Sequence, residues 1–572
     1  MSRAGSPRSG TPSASVTFSA VPATSVASTD EVQTGGPYGH GSYQRRTLSF
    51  GIAAMVVLLC HSQSFALISG PVDHWCKPPP QFSHLSVETW KNVGIPLDEE
   101  GGYSQCYAYV HLTVGNGSGP TETFACDAWD YDQRMARRTV RSFWNMVCHR
   151  SWLRALADAV YMSGALVLVP LTGYVADMSG RQPVITAAVM AVLFSALGSC
   201  CADTYFVYVA TRFVSSGSAS TIFVITFILI YEVTPFKYQA SYLVLMNSIP
   251  FVCTNMFILV MVRLDLPWFW LQTVVLSPTL LLLSAFGVIS ESPLWLITMS
   301  RFREAEEVMK RAAKANGVKL EAAQQSVRRL RSQLKGREGS HTAVSPAVVV
   351  SAGQLRERAA IVVFVNFVVM LAFYRLVWAM LEHQDSEMVM VTDLCVGIPC
   401  YTALYIAINF AGRKQLLLFM LPLLGGLCSL CGVAVYARPW YFPYVLMTIA
   451  KQCSILTTIA HLVFTAELFP TSARCAVMCA AYACGRVGGI VASSLRLLKA
   501  YRREDVGFAI VGSAVFVCLV FVLRLPETSC GRQEHPNIEQ RKDPLFLMQE
   551  SLKPMPRASG HNSPRAARSA RR

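Results

Sequence analysis

Charge is scarce in this sequence. Only 15% of its 572 residues are Asp, Glu, Lys or Arg, against about 25% in soluble domains, which excludes an ordinary water-soluble globular chain. Catalytic signatures are also missing. There is no Gly-Lys-Ser/Thr phosphate loop, no His-Glu-x-x-His zinc pair and no Gly-x-Ser-x-Gly elbow, so no enzyme chemistry, metal or cofactor is expected. The first residues lack a hydrophobic region of the kind that leads a cleavable signal. They form a polar Ser/Pro/Thr/Gly segment, and the first apolar run is expected to stay in the mature chain.

What the chain does have is apolar length. It is 52% hydrophobic, its mean hydropathy is +0.37, and it holds about twelve apolar runs of about 20 residues, each enough to cross a bilayer as a helix. The fold class is an all-α membrane protein. A net charge of +15 does not point to nucleic acid, because the basic residues gather between Arg301 and Arg358 and between Arg557 and Arg572. That distribution fits the positive-inside rule and predicts a multi-pass protein with both termini cytoplasmic.

In chain order, residues 1–44 carry too few large apolar groups to fold alone and are expected to be a disordered cytoplasmic tail. Residues 45–290 form a first set of six helices: Thr47–Ser69, Leu156–Val175, Pro183–Cys201, a fourth from Tyr205 to the Glu232-Val233-Thr234-Pro235 stop, Ser241–Val262 and Trp268–Ile289. Residues 291–358 are a cytoplasmic linker containing an amphipathic helix, with Phe302, Ala305, Met309 and Ala312 on one face and the Glu306/Lys310 and Glu307/Arg311 pairs on the other. Residues 359–525 hold helices seven to twelve: Ala359–Met380, Val391–Phe410, Gln415–Tyr436, Tyr441–Thr465, Cys475–Leu495 and Val506–Leu523. Residues 526–572 are a basic cytoplasmic tail.

The hydrophilic segment 70–154 is too long for a simple connection. Its Cys76, Cys106, Cys126 and Cys148 predict two disulfides in any of three connectivities, and Asn116-Gly117-Ser118 is a glycosylation acceptor. Both features place this loop outside.

One stretch organises the rest. Gly173-Tyr174-Val175-Ala176-Asp177-Met178-Ser179-Gly180-Arg181 joins two apolar runs, with Asp177 and Arg181 facing each other across a turn. Asn409-Phe410-Ala411-Gly412-Arg413-Lys414 is a weaker copy in the second half, as a parallel internal repeat requires. A solvated turn is the plain alternative.

With these in place, the sequence resembles the organic cation, anion and carnitine transporter family of the major facilitator superfamily from about residue 47 to 535. The resemblance rests on an ordered set: Pro71-Val72-Asp73-His74-Trp75-Cys76, Trp129-Asp130-Tyr131-Asp132, the hinge, Glu291-Ser292-Pro293-Leu294-Trp295-Leu296, Ala305-Glu306-Glu307, Thr465-Ala466-Glu467-Leu468-Phe469-Pro470-Thr471 and Leu525-Pro526-Glu527-Thr528. It implies a major facilitator fold, with twelve transmembrane helices in two six-helix bundles around a cavity that opens to either side by rocking. Gating is expected from Gly173, Asp177, Gly180, Arg181, Glu232, Gly412, Arg413, Glu467 and Arg474, with Arg181 or Arg413 pairing with Glu232 or Glu467 and Asp177 accepting from a helix N-terminus.

Ionisable groups inside apolar runs usually face a cavity, because each costs about 2.5–3.5 kcal/mol at the bilayer centre on insertion scales. Arg486 in helix eleven stands where the resemblance gives anion and carnitine members an Arg and cation members an Asp; a guanidinium fork matches a carboxylate in two places. Its alternative is a structural pairing. Tyr401 resembles the carnitine members, in which a ring holds a quaternary ammonium, though packing would also place a Tyr mid-helix. Lys451, which either attracts substrate or forms a salt bridge across the cavity, and the Tyr374-Arg375 pair, whose Arg either adds a second anion contact or fills the cavity, complete the candidate substrate-binding set, and His461 is either proton-linked or structural.

Met178, Gln182, Gln239 and Leu294 stand where the family carries basic residues. Fewer charge locks should shift the population away from the outward-facing state. The sequence thus predicts a plasma-membrane carrier for small organic anions or carnitine-like zwitterions, driven by Na⁺, H⁺ or an exchanged anion. The alternatives are an organic cation transporter, or a transport-deficient member acting as a cell-surface receptor through its external loop.

Overall fold

In a computed structural model of the protein, the apolar runs become twelve helices long and apolar enough to cross a bilayer. The structure describes residues 38–98, 101–109, 122–264, 266–319, 353–383, 386–435, 441–495 and 504–528, with residues 321, 324 and 328. Asn116, most of the two tails and the linker from 329 to 352 lie outside these.

The first six spans are α1 (Ser42–Ile68), α2 (Trp152–Ser179), α3 (Arg181–Cys200), α4 (Tyr205–Val233), α5 (Phe236–Arg263) and α6 (Trp268–Val288). The second six are α7 (Gly353–His383), α8 (Ser386–Phe410), α9 (Arg413–Ala434), α10 (Tyr441–Leu468), α11 (Arg474–Ser494) and α12 (Glu504–Leu523). The span α6 tightens to a 3₁₀ helix over Ser277–Ser284, next to Pro278, which supplies no backbone donor.

Each half repeats one packing plan. In the first, α4 is contacted by α1, α2 and α3; in the second, α10 is contacted by α7, α8 and α9. These two central helices are the most buried spans, 89% and 83%, against 28–61% elsewhere. The halves meet along α2 with α11 and along α5 with α8, contacts exchanged by the two-fold relation between repeats.

Helix association in lipid depends on close packing rather than on water exclusion, so small residues sit at the tightest contacts. Gly488 on α11 is one: any Cβ there would collide with the Phe367 carbonyl of α7.

The hinge departs from the expected loop. Helix α2 runs through Gly173 and Asp177 to Ser179, and α3 starts at Arg181. Gly180 alone makes the turn at φ +110°, a region that costs a side chain dearly but not Gly.

The described residues of segment 70–154 form a small unit at the opposite end of the bundle. Strands β1 (His74–Cys76) and β4 (Trp129–Tyr131) pair antiparallel, as do β2 (Tyr107–Tyr109) and β3 (Thr123–Ala125). Of the three connectivities the structure has Cys76–Cys126 and Cys106–Cys148. Cys76, Ala108, Cys126, Trp129 and Val147 form its core, and the Trp90 indole donates to the Cys76 carbonyl at 2.7 Å.

The linker helix Phe302–Asn316 buries Ala305, Met309 and Ala312 against Trp295 and Leu296, and Lys310 pairs with Glu306 at 2.7 Å. It ends at Gly317, φ +70°. Asn316 then accepts from the Tyr43 amide at 2.9 Å and donates to the Tyr38 carbonyl at 2.9 Å and the Gln44 side chain at 3.0 Å, tying the linker to the start of α1.

Gly488→Val should lower the thermal unfolding midpoint of the detergent-purified protein, since overpacking costs about 1–3 kcal/mol or more; an unchanged midpoint would mean that α7 and α11 can separate freely.

Candidate functional site

The Gly180 turn brings α2, α3, α4 and α11 to one point. Glu291 accepts from the Arg181 and Gln182 amides at 2.9 and 3.0 Å, capping α3. Burial pushes its carboxyl above the usual range, while the Arg181, Ser292 and Gln182 amides pull the other way. The Arg181 guanidinium, fully buried, lies 3.2 Å from Asp177 and 3.3 Å from Glu232. It also donates to the Thr471 carbonyl of the other half at 2.9 Å.

Glu232 carries a second cation. Arg474, at the start of α11, reaches the same Oε1 at 3.0 Å, so one carboxylate oxygen on α4 holds guanidinium groups from both halves. Asp177 Oδ2 accepts from the Ala476 amide at 2.9 Å, at the N-terminus of α11, and its carbonyl accepts from the Trp295 indole at 2.9 Å. At Gly173 a Cβ would lie 2.6 Å from the Cys479 sulfur. The halves are closed against each other at this end.

The second half builds a milder copy. Glu527 accepts from the Lys414 amide at 3.2 Å, as Glu291 does from Gln182. Arg413 pairs with Glu467 at 3.2 Å, and the Thr528 hydroxyl donates to Glu467 at 2.6 Å. Gly412 has an ordinary φ of −63°, but a Cβ there would lie 2.8 Å from Glu527. Where the first half has Asp177, this half has Asn409, which accepts from Ser241 on α5 at 2.8 Å. One seam is ionic and the other neutral.

The positions lacking basic residues are filled in other ways. Leu294 is fully buried among the linker side chains, the Gln239 side chain donates to the Tyr231 carbonyl at 2.8 Å, and Met178 is exposed.

Midway along α11, Arg486 lies between the halves. It donates to the Tyr374 hydroxyl of α7 at 2.6 Å and to the Tyr482 hydroxyl, and stands 4.7 Å over the Tyr482 ring. Met162 of α2 approaches at 3.8 Å. Tyr482 donates onward to Ser220 of α4 at 3.2 Å. Among the described residues, no carboxylate lies within salt-bridge distance of Arg486.

The remaining candidates are placed elsewhere. Lys451 forms a close ion pair with Asp393 of α8, and Gln452 donates to the same carboxylate at 3.3 Å. Arg375 turns from Tyr374 by about 100° of helix and stacks on Phe508 of α12 at 4.3 Å. Tyr401 is buried with its ring stacked on Phe251 of α5. His461 lies 3.1 Å from the Val362 carbonyl, bonded to α7.

Sequence reasoning did not single out Tyr482, Tyr161 or Ser220. Tyr161 of α2 packs its ring 4.5 Å from Arg212, and among the described residues its buried hydroxyl has no hydrogen-bond partner. Their spacing carries no signal, because tyrosines in apolar helices are common packing residues.

Two related six-helix halves, closed by ion pairs at one end and with the Arg486 guanidinium midway between them, define a major facilitator transporter rather than an enzyme. Residues 148–537 match the sugar (and other) transporter family, and the chain belongs to it. It is 28% identical over 510 residues to an organic cation transporter protein of Drosophila melanogaster, covering 85% of this chain and 90% of that one. It is 25% identical over 530 residues to solute carrier family 22 member 6 of Mus musculus, covering 89% and 96%, and 27% identical over 491 residues to organic anion transporter 3 of Rattus norvegicus, covering 82% and 88%. Among solved structures, the proton:xylose symporter XylE bound to a bromodeoxyglucose superposes with a TM-score of 0.60 at 14% identity, covering 89% of this chain and 99% of that one. The human organic anion transporter MFSD10 gives 0.51 at 13%, covering 84% and 100%.

Removing Glu232 takes one carboxylate out of a buried set that holds two guanidinium groups, so Glu232→Ala should cost about 3–5 kcal/mol, whereas Lys91→Ala, at the partly exposed Asp73 pair, should cost at most about 1 kcal/mol. Thermal unfolding of the two purified variants checks the ranking.

Proposed function

We propose that the protein carries small organic anions across the plasma membrane by alternating access, with Arg486 receiving the anionic end of the substrate. The observation that carries this reading is a mid-membrane guanidinium held by two tyrosine hydroxyls and, among the described residues, by no carboxylate. A cation in that setting attracts an anion and repels an organic cation. Its planar fork suits a carboxylate or sulfate, and the Tyr374 and Tyr482 hydroxyls can turn their protons toward a bound oxygen.

The zwitterion reading is the weaker one. It asks Tyr401 for an open ring face, yet Phe251 stacks on that ring at 5.9 Å. Lys451 and Arg375 are each engaged, by Asp393 and by the Phe508 ring, which leaves Arg486 as the determinant and Tyr374 as its positioning partner.

The ionic seam lies at the cytoplasmic face in this reading, beside the basic linker, and the disulfide-bonded unit lies outside, where an oxidising compartment keeps its bridges. Opening toward the cytoplasm then requires Asp177, Arg181, Glu232 and Arg474 to part, and Arg413 with Glu467 to loosen. The energy comes from a gradient of the substrate, Na⁺, H⁺ or an exchanged anion.

Uptake of benzoate, L-carnitine and tetraethylammonium by cells expressing the chain tests the assignment. Benzoate should accumulate and tetraethylammonium should not. Arg486→Asp should reduce benzoate uptake by about tenfold to a hundredfold, the weight of a charged hydrogen bond of about 1.5–3 kcal/mol, with surface delivery unchanged. Arg486→Lys should fall between, because it keeps the charge and loses the fork. Accumulation of L-carnitine alone would restore the zwitterion, and benzoate uptake indifferent to Arg486→Asp would remove this residue from the site.

A further inference from the structure

Two thiols lie inside the closed seam, and nothing in the transport reading uses them. Cys475 and Cys479 stand four residues apart on α11, so they share one helix face, and both are fully buried. That face is turned toward α2 of the other half. A Cβ placed on Gly173 would lie 2.6 Å from the Cys479 sulfur and 3.1 Å from the Cys475 carbonyl oxygen, so the contact has no room for a methyl group. One turn along α2, Asp177 accepts from the Ala476 amide between the two thiols. The other free cysteines are differently placed. Cys60, Cys428, Cys431, Cys453 and Cys518 are buried on other helices, Cys200, Cys400 and Cys484 are half-buried, and Cys201, Cys253 and Cys395 are exposed.

We propose that Cys475 and Cys479 form a covalent modification site for soft electrophiles that is uncovered only when this seam opens, and that an adduct on either thiol holds the halves apart. The reaction is conjugate addition: the sulfur bonds to the β carbon of an electron-poor alkene, the alkene π bond breaks, and the thiol proton ends on the neighbouring carbon. Nothing is oxidised or reduced, and no leaving group departs. The adduct is larger than the space that Gly173 leaves, so α2 and α11 cannot return to contact while it is present. A reactive alkene arising in the cell would thereby arrest the carrier with its cytoplasmic side open. This inference rests on alternating access and is independent of what Arg486 binds.

The test treats the full chain in membranes with N-ethylmaleimide and maps adducts by peptide mass spectrometry. Cys475 and Cys479 should label slowly in the wild type, and Glu232→Gln, which weakens the seam, should speed their labelling by at least about tenfold. If Glu232→Gln fails to reach the membrane, Asp177→Asn serves the same purpose. The second addition should outpace the first, so partly reacted protein should carry both adducts or neither, because one adduct keeps the seam from closing over the other thiol. A membrane-impermeant maleimide applied from the side of the disulfide-bonded unit should label neither. Equal rates in wild type and seam variants, independent labelling of the two thiols, or labelling from that outer side would each overturn the proposal. Where benzoate is accumulated, uptake should fall with the doubly labelled fraction and be spared in the Cys475→Ala/Cys479→Ala chain; that arm fails separately if Arg486 does not bind anions, while the labelling arms still decide.

Discussion

A single carboxylate oxygen shared by two guanidinium groups is the constraint around which the closed end is built. Glu232 on α4 pairs with both Arg181 and Arg474 where all three side chains are sealed from solvent, so its departure removes a buried counter-charge from each. Burying an ion pair gains little net stability, since desolvation offsets most of the attraction, yet breaking one is costly. Such an arrangement favours two discrete states over a graded series.

The repeat explains why the set sits where it does, and where the repeat fails explains its bias. Glu291 and Glu527 each cap the helix that follows a Gly-Arg turn, and Arg181 and Arg413, each at the start of a helix, meet a glutamate at the end of the next one. The copies differ at Asp177 and Asn409. The acid draws on the dipole of α11 and on Arg181, whereas the amide makes one neutral bond to Ser241. The two contacts between halves thus differ in charge, ionic along α2 and α11 and neutral along α5 and α8.

Much of this was readable in the sequence, for reasons that differ by level. The helices follow from uninterrupted apolar length, and the Asp177–Arg181 spacing already implied that the two would meet. That Asp177 would accept from a helix N-terminus was expected, but which helix it would be, and the Thr471 carbonyl that Arg181 reaches, were hidden because backbone groups leave no mark on residue type. Arg486 stood out as an exception in an apolar run. Arg375 stood out equally and faces Phe508 instead, since one residue of helix rotation separates it from Tyr374, and a likeness of position carries no rotation. Lys451 was readable as buried, with a salt bridge across the cavity as one of its two roles, but its partner was not, because Asp393 lies 58 residues away on α8.

The Asn316 clamp changes how the long connection between halves should be regarded. By holding the Tyr38, Tyr43 and Gln44 groups that begin α1, it makes the helix Phe302–Asn316 an outrigger of the first six spans. If the halves rock as proposed, this helix travels with α1, and the second six spans move against it.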